Sequence, residues 1–133
     1  MSQENVETLR QLLDAFNRRD KAAWIALSDP ETENFPPKEW PEQASIRGPE
    51  AIWDFYVEAV GAWEEGSFEW DEFIDAGANT IVAHQRREMQ GRTSGAAVAW
   101  SYWVVFMFRD GRLLCSEWFA DRAEALEAAG LRE

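Results

Sequence analysis

The chain has 133 residues, with 25 acidic against 13 basic side chains, a net charge of −12, one histidine and one cysteine. This length makes a single domain over residues 1–133, large enough to bury roughly two-thirds of its unfolded surface without a disulfide or metal staple. The charge repels phosphate backbones and anionic lipid and no basic run exceeds two residues, which argues against nucleic-acid and membrane partners.

Cys115 has no pairing partner and no Cys or His spacing that suggests a metal ligand set. No basic start leads into an apolar run, and no stretch approaches the roughly 20 apolar residues that cross a bilayer. A phosphate-cradling glycine loop and a dinucleotide fingerprint are both missing. The expectation is a cytoplasmic protein with neither cofactor nor metal.

Ser2 caps a first helix with Glu4 and Glu7 early, Val6, Leu9, Leu12, Leu13 and Phe16 as its apolar stripe, and Arg18 and Arg19 at its end. Asp20 caps a shorter second helix with Trp24 and Leu27 inward, stopped by Asp29-Pro30 because the residue before proline avoids helical geometry. From Pro30 to Ile46, four prolines, Phe35 and Trp40 form an irregular, lid-like segment with one short strand near Thr32 to Phe35. Gly48-Pro49-Glu50 opens a third helix, whose stripe is Ile52, Phe55, Tyr56, Ala59, Val60 and Trp63 and whose end is Gly66.

Phe68 to Asp75, a turn at residues 76–79, and Thr80 to Met89 predict an antiparallel hairpin, and a second turn spans Gly91 to Gly95. The strand that follows alternates Trp100, Tyr102, Val104, Phe106 and Phe108 with Ser101, Trp103, Val105 and Met107, so both faces are apolar and both need cover. Asp110-Gly111 turns it into a last strand, Leu113 to Phe119, completing a four-stranded meander. Asp121 and Glu124 have capping-box spacing for a short C-terminal helix ending near Gly130.

Helices cover one face of the aromatic strand. A homodimer through Trp103, Val105 and Met107 is the expected cover for the other, since monomers rarely expose so large an apolar stripe. Trp40, Tyr56, Trp100, Tyr102 and Trp118 form the expected wall of a ligand pocket, with the two tyrosine hydroxyls to orient a ligand, although core filling explains the same rings equally well.

His84, Arg86 and Glu117 are the candidate catalytic residues. An imidazole suits a general base, yet no Ser or Cys nucleophile motif accompanies His84, which favours a hydrogen-bonded histidine of the sheet or an interface. Strand parity leaves two possibilities: His84 and Arg86 face the pocket, or Gln85 and Arg87 do. Glu117 shares a face with Cys115 and Phe119, opposite the more apolar Leu114, Ser116 and Trp118, and is expected to pair with Arg86 or Arg87. Asp75 beside a turn and Asp121 at a helix start have structural work to do.

Phe16-Asn17-Arg18-Arg19-Asp20, Trp40-Pro41, Arg47-Gly48, Glu72 to Gly77, Arg109-Asp110-Gly111-Arg112 and Asp121-Arg122 with Glu124 to Leu131 carry a resemblance that spans nearly the whole chain. The sequence resembles the nuclear transport factor 2-like superfamily, and most closely its SnoaL-like branch. The resemblance implies an α+β fold: a cone-shaped α+β barrel, with three N-terminal helices packed on a strongly bent, mainly antiparallel sheet and a short C-terminal helix. It also implies a pocket on the concave face and a homodimer through the convex one.

The superfamily hosts isomerases, dehydratases, epoxide hydrolases, polyketide cyclases and noncatalytic adaptors, so fold does not choose among them. Its ketosteroid isomerases use a Tyr and an Asp as oxyanion hole and a further Asp as base. Ungapped placement brings those positions to Leu12, Val104 and Phe35, which can fill none of these roles. Two readings remain: a cofactor-independent cyclase, isomerase or hydrolase acting on a hydrophobic molecule, and a noncatalytic ligand-binding or dimeric accessory protein.

Overall fold

The computed structural model describes residues 3–40, 44–61, 68–90 and 97–131, with the backbone alone described at 60, 61, 87–90 and 97–100. Its helices are α1 (Gln3–Arg18), α2 (Lys21–Ala26), α3 (Pro49–Gly61) and α4 (Arg122–Ala128); its strands are β1 (Ser28–Phe35), β2 (Ile46–Arg47), β3 (Glu69–Gly77), β4 (Thr80–Gln90), β5 (Ala97–Arg109) and β6 (Arg112–Phe119).

Local chemistry sets the helix limits. Leu9, Leu12 and Ala15 fall on one side of α1 and are buried, and Arg18 closes the helix on Asp14 at 2.7 Å. Asp20 caps α2 by accepting from the Ala23 amide at 3.1 Å, and Asp121 caps α4 by accepting from the Ala123 amide at 3.3 Å. Glu124 meets Lys38 Nζ at 3.2 Å, a salt bridge that ties the proline-rich segment to α4.

All six strands form one mixed sheet in the order β2-β1-β6-β5-β4-β3. Neighbours are antiparallel except β1 and β6, which run parallel. The expected cone-shaped, strongly bent barrel is corrected: β2 and β3 are opposite edges that do not meet, and the sheet is neither closed nor strongly curled. Closure requires the edge strands to continue one ladder. A two-residue β2 offers too little ladder to the nine-residue β3, and helices, not the sheet itself, cover the inner face.

The strand expected from Thr32 starts earlier, at Ser28, with a break in its pairing to β6 between Ser28 and Glu33. Pro30 sits in that break, where a residue without an amide hydrogen costs no ladder bond. Both two-residue hairpin loops have positive φ at each position, 49° and 62° at Ala78 and Asn79, 51° and 76° at Asp110 and Gly111.

Pairing of Ala83 with Val104 and of Ile81 with Phe106 sends these residues under the helices, whereas Val82, His84, Trp103 and Val105 take the outer face. α4 lies on that outer face: Ala125 and Leu126 pack with Val82, Trp103 and Val105. Trp103 and Val105 are thus buried within the chain, and Met107 stays 44% exposed. The cover expected from a second subunit comes, at these two positions, from the chain's own C-terminal helix. No helix among the described residues is long and apolar enough to cross a membrane.

Candidate functional site

A cavity of about 60 Å³, room for a few waters, lies between α1, α3 and the inner face of the sheet. Most of its wall is apolar, with Phe16, Trp53, Trp70 and Phe106 prominent, and its polar groups come from Asn34, Tyr56, Gln85 and Ser116.

Asn34 organises these polar groups. β1 alternates so that Thr32 and Asn34 are buried while Phe35 is 37% exposed. Parallel pairing sets Asn34 beside Ser116, whose hydroxyl donates to Asn34 Oδ1 at 2.6 Å. Trp118 Nε1 donates to the same oxygen at 3.0 Å. An indole N–H only donates, so the atom it meets must be the amide oxygen, and the orientation of the Asn34 side chain follows. Asn34 Nδ2 then donates to the Tyr56 hydroxyl at 2.7 Å.

This arrangement leaves two donors over. Nδ2 carries two hydrogens and uses one; Tyr56 accepts through its oxygen and keeps its own proton. Neither spare hydrogen has an acceptor among the described residues, and both side chains border the cavity. Burial pushes the Tyr56 phenol well above its ordinary range, more than the Asn34 hydrogen bond lowers it, so the hydroxyl remains a donor.

The aromatic residues expected to form the pocket wall divide into two layers. Tyr56 and Trp118 stack at 4.9 Å and border the cavity. Trp40 and Tyr102 form the layer above, where Trp40 lies 5.9 Å from both Tyr56 and Tyr102, Tyr102 lies 5.8 Å from Trp118, and Trp40 Nε1 donates to the Tyr102 hydroxyl at 2.8 Å. These four rings fill the space between themselves, and the open volume lies beneath them. Trp100 stands opposite Arg87 in the β4–β5 ladder, and its side chain lies outside the described residues.

The structure settles strand parity in favour of Gln85, which borders the cavity, and puts His84 and Arg86 on the outer face. Arg86 pairs with Asp71 at 3.5 Å and Glu69 at 3.7 Å, in place of the expected Glu117. Glu117 lies opposite Val105 beside a surface groove with Phe35 and Lys38, and partial burial raises its carboxyl above the ordinary value. His84 and Arg86 share Asp71 on the outer face, Glu117 stands apart from them, and none of the three borders the cavity. Burial also pushes the Cys115 thiol up to about 11, which makes it a poor nucleophile.

At the isomerase positions, Leu12 and Val104 are buried and apolar. The third placement is off by one: Asn34, not Phe35, faces inward. An amide cannot accept a proton as a base does. Asn34 is not marked out in the sequence because polar side chains occupy both faces of β1, giving no apolar alternation to reveal its parity. No group of residues able to hold a metal occurs among the described residues.

An open mixed sheet with α1, α2 and α3 on one face, α4 on the other and a pocket beneath the first three is the fold of nuclear transport factor 2-like proteins. Residues 9–115 match the SnoaL-like domain, and the chain belongs to that family. Its fold is similar to that of an NTF2-like protein from Burkholderia xenovorans LB400 (20% identity, 97% of this chain and 98% of that one, TM-score 0.76). A putative isomerase from Bacillus subtilis is also similar (22% identity, 98% and 96%, TM-score 0.74). So is TerC, crystallised with polyporic acid (18% identity, 96% and 98%, TM-score 0.74). No protein of curated function matches the sequence.

Proposed function

We propose that the protein binds a small, neutral, mostly apolar molecule carrying one acceptor oxygen, a ketone or ester carbonyl, in the cavity under Tyr56 and Trp118. The observation that carries this reading is the donor pair of Asn34 and Tyr56, with one unused hydrogen on each, set in an otherwise apolar wall. A buried donor left without a partner is costly, and an acceptor oxygen between the two donors would satisfy both. The strongly acidic chain favours a neutral ligand over an anion. Trp40, within the proline-rich segment, serves as the lid.

Tyr56 is the ionisable side chain on the described lining, and burial keeps it protonated. That supports binding over proton-transfer catalysis in the cavity, because abstraction of a proton requires a group able to take it.

The test is a tryptophan-fluorescence titration with acetone and with isobutene, which replaces the carbonyl oxygen by a methylene of similar shape. The ketone is expected to bind at least tenfold more tightly, about 1.4 kcal/mol. Equal affinities would remove the basis for this reading.

A further inference from the structure

On the outer face of the sheet, His84 lies between an acid and an alcohol. Its Nδ1 is 2.8 Å from Asp71 Oδ1, and its Nε2 is 2.8 Å from Ser101 Oγ. The residues come from β3, β4 and β5 and meet on the face opposite the cavity.

The protonation pattern follows from the partners. An ionised carboxylate only accepts, so Nδ1 carries the hydrogen; Nε2 is left with its lone pair, and the Ser101 hydroxyl donates to it. This is the tautomer a general base needs. The imidazole is held further by stacking on Trp103, with ring centres 4.4 Å apart and planes at 20°.

Asp71 reaches His84 because of an irregularity. β3 pairs Trp70 with Gln85 and Glu72 with His84, so Asp71 is an extra residue in the ladder. A bulge of this kind re-aims a side chain, and here it turns a carboxylate across the face toward the imidazole. Arg86 holds the other carboxylate oxygen at 3.5 Å, and it stands directly opposite Ser101 in the β4–β5 ladder. Ser101 is exposed, whereas the His84 side chain is 16% exposed: the alcohol is open to a reactant and the base is sheltered behind it.

We infer that Ser101, His84 and Asp71 form a nucleophilic acyl-transfer site, independent of the cavity, that takes activated esters of small acids. Alcohol, base and orienting acid meet the geometric requirement for an activated serine. Ser101 Oγ attacks the carbonyl carbon while its proton passes to His84 Nε2. The tetrahedral intermediate collapses with loss of the alcohol, which takes the proton from His84, and the acyl group remains on Ser101. Water then gives a proton to His84 and attacks the acyl carbon; the acid leaves and Ser101 regains its proton. The net reaction is ester plus water to acid plus alcohol.

The test exposes the full chain to a fluorophosphonate probe and, separately, to p-nitrophenyl acetate, and locates any adduct by peptide mass spectrometry. The expected result is a phosphonyl or acetyl group on Ser101 that is absent in Ser101→Ala. Asp71→Asn, which lacks the orienting carboxylate but keeps its shape, should label at least tenfold more slowly. Both substitutions are at exposed positions, so near-native melting curves are expected. No adduct on Ser101, an adduct at other residues alone, or an unchanged rate in Asp71→Asn would overturn the inference and leave the three groups as a structural hydrogen-bond chain.

Discussion

Asn34 and Tyr56, from a strand and a helix 22 positions apart in sequence, meet through a 2.7 Å hydrogen bond in which the amide donates and the phenol oxygen accepts. The direction of that bond leaves the phenol proton for a ligand. Asn34→Ala would strip Ser116, Trp118 and Tyr56 of their common partner, at a cost of about 3 kcal/mol in urea unfolding. Asn34→Asp should be milder for the fold and harsher for binding. Its carboxylate can accept from all three neighbours, including the Tyr56 proton, so ketone affinity should fall at least tenfold.

Trp40 and Tyr102 close the aromatic layer over the cavity through their 2.8 Å hydrogen bond. Trp40→Ala removes a half-buried indole and should cost about 2 kcal/mol, less than a fully buried one. Ligand should then exchange faster. Stopped-flow fluorescence is expected to show both on- and off-rates rising while affinity changes little.

α4 depends on Leu126, which is 5% exposed and packs with Trp103 and Val105. Leu126→Ala should cost about 3 kcal/mol by cavity formation. It should also uncover the two outer-face residues, so that a dye specific for apolar surface binds the variant more strongly than the parent.

Acid has opposing effects at two carboxyls. Asp29 accepts the Glu31 amide and an Arg109 guanidinium hydrogen bond, which together hold it below the ordinary carboxylate range against the opposing effect of burial. Its stabilisation is complete above the unfolded value, about pH 4, and is lost as pH falls through the lower folded value. Glu117 is raised by burial, so its contribution has the opposite sign: folding is favoured while the carboxyl is protonated, and the penalty for burying its charge appears as pH rises through the folded value. Urea unfolding between pH 3 and pH 7 should show Asp29→Asn less stable than the parent at pH 7 with a flatter acid limb, and Glu117→Gln more stable at pH 7.

Helix positions were legible because each depends on a local pattern: the stripe of α1, the Asp20 and Asp121 caps, the Gly48-Pro49 start. The hairpins were legible for the same reason, through Asp110-Gly111 above all. Sheet closure was not. It depends on whether the edge strands meet, and β2 is a two-residue strand with no periodicity to read. Parity in β4 also escaped, because Gln85 and His84 are both polar and only pairing with Tyr102 and Trp103 assigns their faces. The Ser101–His84 contact is of this kind too: the two residues are 17 apart and carry no shared motif. Chemistry built from three strands is visible only once the strands are paired.

Infrared spectroscopy of bound, carbonyl-13C-labelled acetone tests most directly whether Tyr56 and Asn34 hold a carbonyl oxygen. Two hydrogen bonds weaken the C=O bond, so its stretch should fall well below the value in an apolar solvent, and in Tyr56→Phe it should move part of the way back while the ketone still binds. A bound ketone whose stretch matches the apolar solvent in both proteins would contradict the account.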